Sequence, residues 1–237
     1  MFPEDCLQSV LPSGTQWWVP NENRELCRGA LVWSFAPHVD QIPYIFEPVA
    51  RAVATEHGAA TVRVAPLKVG QPLKQVDLPV AAMPTYAGEV WGAYRAKRRP
   101  CLVFGCGLYP VPSELIRGKP KHATAPTFIG APFYGVDASA KRAGYNPTFV
   151  ERVRHCEYPR FHWDKLPLPG GPNESILRLD HLQPFGMHHD SHQVTEFKLS
   201  DQAMALLDDM LQWQLWGGLP SESPILDYQE LIAEMFP

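Results

Sequence analysis

Apolar residues recur at helical spacing in three stretches of the chain. Over 201–216, Met204, Leu207, Leu211 and Leu215 fall on one face, Ser200 stands ahead as an N-cap and Gly217 behind as a stop, so a helix is predicted. Over 225–236, Tyr228, Leu231, Ile232 and Met235 share a face after the cap and first-turn pair Ser223 and Pro224, which predicts a short acidic helix. The stretch 46–57, with Pro48 in its first turn and Gly58 behind it, is the third candidate. Elsewhere short runs of branched and aromatic residues predict strands at 30–35, 60–65, 89–93, 101–104, 127–134 and 174–182, with a basic turn at 94–99. In the last strand Ile176, Arg178 and Asp180 are expected on one side, and Leu177, Leu179 and His181 on the other. Residues 1–28 look irregular apart from Trp17, Trp18 and Val19, and 66–87 hold Pro66, Pro72, Pro79 and Pro84, which marks a connector or an edge. Beyond Tyr134 a long loop is expected, and the stretch from Pro184 to Ser200 reads as a polar loop.

Composition narrows the class. The chain has 237 residues, 45% hydrophobic and 19% charged, which excludes wholesale disorder. Its 25 prolines, about twice the average share, exclude a helical bundle or coiled coil. No run reaches the roughly eighteen apolar residues of a membrane span, and Glu4 and Asp5 sit where a signal peptide would be basic. Five scattered cysteines lack the density of a disulfide scaffold, so the expectation is a cytoplasmic protein.

The net charge of -4 conceals an asymmetry. Between Arg95 and Arg160 twelve Lys/Arg face four acids, leaving 9 basic against 21 acidic residues in the rest. Such a basic segment suits a polyanion, although solvated loop charges give the same count. Gly29 to Trp33 echoes Gly88 to Trp91, and Val64 to Leu67 echoes Gly130 to Phe133, which fits a decayed duplication or convergent strand composition.

Several of these pieces occur in a known order: Gly88-Glu-Val-Trp91, Lys97-Arg-Arg-Pro-Cys-Leu-Val-Phe104, Phe128-Ile-Gly-Ala-Pro132, Ile176-Leu-Arg-Leu-Asp-His-Leu182, and the helix after Ser200. Over residues 88–218 this resembles the MazF/PemK family of type II toxins. The resemblance implies an α+β fold, mainly β: an SH3-like small barrel with a C-terminal helix and an N-terminal extension, often dimeric. It implies cleavage of single-stranded RNA with no metal or other cofactor, and an antitoxin-like protein partner. The domains expected are an extension or degenerate barrel at 1–80, the barrel at 81–219 and an acidic helix at 220–237.

Carried over position by position, Arg99 matches the catalytic arginine and Glu89 the acid that opens the first strand. Where the family has threonine after the proline, Phe133 and Tyr134 follow Pro132, and where it has Asp-Gln this chain has Asp180 and His181. The site is therefore rebuilt or its activity lost. An arginine before proline suits a phosphate, because the stiffened chain presents a planar guanidinium that holds two oxygens at once. The catalytic candidates are Arg99, Tyr134, His181 and Glu89, and Arg95, Lys97, Arg98, Lys141 and Arg142 are the candidate nucleic-acid contacts. Each has a plainer alternative: solvated turn cations for the arginines, a core-capping ring for Tyr134, a core histidine for His181, an edge-strand charge for Glu89.

His188, His189 and His192 with Asp190 lack metal-ligand spacing outside a helix, and Cys101 and Cys106 have no second cysteine pair, so no metal is expected. Phosphate-binding and dinucleotide loops, a nucleophile elbow and a His-Glu-x-x-His pair are all absent from the sequence. The function expected is a toxin-like, metal-independent endoribonuclease. The alternative is a non-catalytic module on the same fold that binds a protein or nucleic acid as regulator or inhibitor. The acidic tail would cover an RNA groove in cis, pack on a partner, or simply complete the core.

Overall fold

The computed structural model describes residues 2–51, 53, 55–56, 60–68, 70, 88–107, 111–118, 127–138, 144–170, 174–188 and 190–236. Most of the connector expected at 66–87 lies outside them, as do Lys141, Arg142 and His189. In chain order the strands are β1 (Trp18–Pro20), β2 (Ala30–Pro37), β3 (Tyr44–Arg51), β4 (Ala60–Pro66), β5 (Trp91–Ala93), β6 (Ala96–Cys106), β7 (Thr127–Gly135), β8 (Phe161–Asp164), β9 (Ser175–Arg178), β10 (Gln183–Gly186) and β11 (His192–Leu199). The helices are the single turn α1 (Ser113–Ile116), α2 (Pro147–Arg154), α3 (Asp201–Trp216) and α4 (Pro224–Met235), and 3-10 turns occupy Leu7–Val10 and Leu179–His181.

Two compact units result, one made of Met1–Phe35 with Arg98–Pro237, the other of Ala36–Lys97. The first 35 residues, expected in an extension, thus supply β1 and most of β2 to the larger unit. Its sheet runs β1-β11-β2-β6-β7-β9-β8, with β10 also paired to β7. The pairs β1–β11, β11–β2, β6–β7, β7–β9, β8–β9 and β7–β10 are antiparallel, so the fold is mixed α+β. Among the described residues the strand path stays open and no closed barrel forms. The smaller unit is a three-stranded antiparallel sheet, β4-β3-β5.

β7 is the hub of the larger sheet. β6 pairs with it from Phe128 to Pro132, β10 along Thr127–Gly130, and β9 from Phe133 to Gly135. Crowding explains Gly130, where a Cβ would meet the Leu102 carbonyl oxygen at 3.0 Å. Leu31, Leu102, Phe133, Leu177 and the α3 residues Leu207 and Met210 form one buried cluster. Ser200 caps α3 by accepting the Ala203 N–H, and Gly217, at φ 82°, closes it in the left-handed conformation that glycine adopts without strain.

Several expectations are corrected. Residues 46–51, the first half of the helix expected at 46–57, lie in β3: Phe46 has Val64 of β4 and Trp91 of β5 as its register partners, and pairing on both sides overrides an ambiguous local pattern. The basic turn at 94–99 mostly belongs to β6, so Arg98 and Arg99 are strand residues. The strand at 174–182 ends at Arg178 and yields to a 3-10 turn. The long loop after Tyr134 contains α2 and β8, and the polar loop before Ser200 contains β10 and β11, held by pairing that local sequence does not encode. The buried stripe of α3 is Ala203, Met204, Leu206, Leu207 and Met210, while Leu215 is exposed. In α4 the buried residues are Ile225, Tyr228 and Ile232; Leu231 and Met235 face solvent. With Tyr228 Oη donating to the Arg154 carbonyl, α4 packs as ordinary core of this unit. No helix among the described residues is long and apolar enough to cross a membrane.

Candidate functional site

Strand register brings the first two candidates together. Cys101 faces Pro132 and Leu102 faces Ala131 across β6 and β7; extending that register by two residues sets Arg99 across from Tyr134. The Arg99 guanidinium lies 3.9 Å from the centroid of the Tyr134 ring, a cation–π contact that holds the planar cation flat. Alternation along β6 sends the neighbouring side chain to the opposite face. Accordingly Arg98 stacks on Trp33 at 4.4 Å and donates to Gln193 Oε1 on β11, away from Arg99.

A 3-10 turn adds the third. Alternation alone would put His181 on the face opposite Arg178, but the turn at Leu179–His181 folds the chain so that residues three apart come to one side. His181 is buried, its Nδ1 lies 2.8 Å from Tyr134 Oη, and its Nε2 lies 2.9 Å from Arg178 Nη2. A guanidinium only donates, so in the neutral ring Nε2 must accept, and the proton then belongs on Nδ1. His181 is therefore the donor to Tyr134 Oη, and Tyr134 keeps its own proton for a different acceptor. Arg178 is in turn fixed by Asp180, to which it donates from Nε at 2.7 Å and from Nη2 at 2.6 Å. Its guanidinium also lies 5.6 Å from the Tyr134 ring centroid, so two arginines meet one phenol.

Charge balance at the site follows from those contacts. Burial pushes the Asp180 carboxyl up, but the hydrogen bonds and charge of Arg178, with His181 nearby, outweigh it and hold the group below the usual carboxylate value. The hydrogen bond from Arg178 to Asp180 raises the arginine further, against the opposing effect of burial. Cys101 is fully buried and its thiol is pushed up to about 12, only partly offset by the Arg99 charge, so it is no nucleophile despite its position.

Of the sequence candidates, Arg99, Tyr134 and His181 converge. Glu89, Arg95 and Lys97 are exposed residues of the smaller unit, Arg98 lies on the other strand face, and Lys141 and Arg142 fall outside the described residues. Arg178 is the residue that sequence reasoning missed. Its signal was the run Arg178-Leu-Asp-His181, where an arginine, a carboxylate and an imidazole come within one turn of backbone.

A second polar cluster is structural. Asp164 is fully buried and accepts from the indole N–H groups of Trp17 at 3.0 Å and Trp18 at 3.1 Å, tying β8 to the N-terminal segment. Among the described residues no three His, Cys, Asp or Glu side chains are placed to hold a metal ion. His188 and His192 are near each other, and burial followed by the His188 charge lowers the pKa of His192. No protein-family model matches the chain, and no curated protein matches it.

Proposed function

We propose that the larger unit is an endoribonuclease of the MazF/PemK kind, on a sheet related to the SH3-like barrel, that cleaves single-stranded RNA through the ribose 2′-hydroxyl. The observation that carries the reading is the stack of Arg99 on Tyr134 with the phenol oxygen hydrogen-bonded to His181 Nδ1. In the reaction the 2′-oxygen attacks phosphorus, the bond from phosphorus to the 5′-oxygen breaks, and a 2′,3′-cyclic phosphate and a 5′-hydroxyl result. Arg99 holds the non-bridging oxygens as negative charge develops on them. Tyr134 passes its proton to the leaving 5′-oxygen, because the hydrogen bond it receives from His181 leaves its own O–H directed elsewhere and steadies the phenolate that forms. The 2′-hydroxyl proton passes to water, from which Tyr134 recovers its own. His181 and Arg178 are positioning residues, each set by the next hydrogen bond in the chain ending at Asp180.

The second reading, a non-catalytic module that binds nucleic acid or protein, has its own support. Both ring nitrogens of His181 and the carboxylate of Asp180 are already engaged, and neither is disposed as a base for the 2′-hydroxyl. One experiment separates the two. Purified protein is incubated with mixed single-stranded RNA in EDTA. Fragments ending in cyclic phosphate, with a loss of about 100- to 1,000-fold in rate for Arg99→Ala, support cleavage. Intact RNA that is nevertheless shifted in a gel supports binding alone.

A further inference from the structure

We infer that a track of aromatic rings leading from this site over α2 and β8 binds the nucleotides that flank the cleaved linkage; the identity of the strand as RNA rests on the ribonuclease reading. The link is Arg178, whose guanidinium lies 5.6 Å from the Tyr134 centroid and 5.1 Å from that of Phe161, one cation serving both rings. Phe161 meets Phe149 edge to face at 5.3 Å and 79°. Phe149 stacks in turn on Tyr145 at 5.8 Å and 22° and on Tyr158 at 5.9 Å and 23°. The four rings rest on the buried Val150, Val153, Trp163 and Ile176, and all four stay partly exposed.

Two observations select single-stranded nucleic acid over an apolar partner. The first is that cations interleave with the rings: Arg178 at one end, Arg152 over Tyr158 at 5.2 Å, and Arg160 immediately before Phe161. Arg152 is bridged to Glu157, but Arg160 is exposed and, among the described residues, has no carboxylate partner. An apolar partner would leave such a cation unmatched, whereas a phosphate matches it. The second is the near-parallel set of Tyr145, Phe149 and Tyr158, partly exposed rings that offer bases of any sequence a platform. Continuity with Tyr134 through Arg178 gives the strand a path from the rings to the reacting phosphate. Tyr145 is anchored for this role by its backbone N–H, which donates to the Val136 carbonyl.

The test uses the full chain and fully 2′-deoxy oligonucleotides, which lack the attacking hydroxyl, so that binding is read without cleavage. Fluorescence anisotropy should show affinity rising from a dinucleotide to a single strand of about eight nucleotides. In Arg160→Glu, and again in Tyr145→Leu, that rise should flatten, with about a tenfold loss at the longer length for each. Arg160 is exposed, so its variant keeps the fold, and a near-ultraviolet circular dichroism spectrum checks Tyr145→Leu. Equal rises in wild type and both variants, or no binding by wild type, overturn the track. If the variants lose affinity while wild type leaves RNA uncut, the track stands and the ribonuclease reading falls. If RNA is cut and the length dependence persists in the variants, the reverse holds.

Discussion

Tyr134→Phe tests the site at its centre. The ring remains, so the stack with Arg99 at 3.9 Å is retained, while the oxygen 2.8 Å from His181 Nδ1 is removed. Because Arg178 forces the proton onto Nδ1, the variant takes away the phenol oxygen to which that N–H donates, on a histidine only 5% exposed. An unsatisfied buried donor costs about 1–3 kcal/mol. With a urea dependence of about 1–3 kcal/mol per molar, the midpoint should fall by about 0.3–3 M. Tryptophan fluorescence is a suitable probe, since Trp17 and Trp163 are buried in the same unit. The assignment of the proton is checked directly by nitrogen-15 spectra of histidine-labelled wild type, where His181 should show the Nδ1–H tautomer. RNA cleavage by the variant should drop by about 100-fold or more, the usual contribution of a general acid. An Nε2–H tautomer in wild type, or an unchanged urea midpoint in the variant, refutes the hydrogen-bond argument.

Three further outcomes are expected. Asp5, despite burial, is held below the usual 3.8 by hydrogen bonds with His155 and Arg154 and their charge, and Asp180 is held there by Arg178. Both have folded values below unfolded ones, so their stabilisation is complete above the unfolded value and disappears as pH falls through the folded one; Asp5→Asn with Asp180→Asn should flatten the acid limb of a stability profile and lower stability at pH 7. Burial raises the thiols of Cys6 to about 11 and of Cys101 and Cys156 to about 12, so iodoacetamide at neutral pH should label only Cys27 and Cys106 in the native chain, read by mass spectrometry. Ile225→Ala in α4, at a fully buried position, should cost about 2–5 kcal/mol in urea unfolding. Leu231→Ala, 53% exposed, should stay within about 0.5 kcal/mol, and equal losses would mean that the helix docks on another face.

Residue chemistry alone reached some of this architecture and stopped short of the rest for identifiable reasons. Ser200, Gly217, Ser223 and Pro224 signal the ends of α3 and α4 because caps act through backbone groups a few residues away. β2, β4 and β7 are legible because Ala30–Pro37, Ala60–Pro66 and Thr127–Gly135 carry runs of branched and aromatic residues between turn formers. β3 was not, since 46–57 carries apolar residues compatible with either period and only its two strand partners decide between them. The buried face of α4 was legible only in part: Tyr228 and Ile232 of the expected stripe are buried, but what surrounds the helix selects Ile225 beside them and leaves Leu231 and Met235 exposed.

At the candidate site, sequence determined which groups exist: an arginine stiffened by Pro100, a phenol after Pro132, and an arginine, carboxylate and imidazole within four residues. Their meeting was decided by tertiary structure. Arg99 and Tyr134 are 35 positions apart in the chain and are joined by the register of β6 on β7, while His181 reaches Arg178 because the backbone leaves the strand for a 3-10 turn. Local sequence can bias a backbone and cap it, but which side chains share a face across a sheet depends on pairing between distant segments. A one-residue slip in that pairing would send Arg99 to the side where Arg98 now lies.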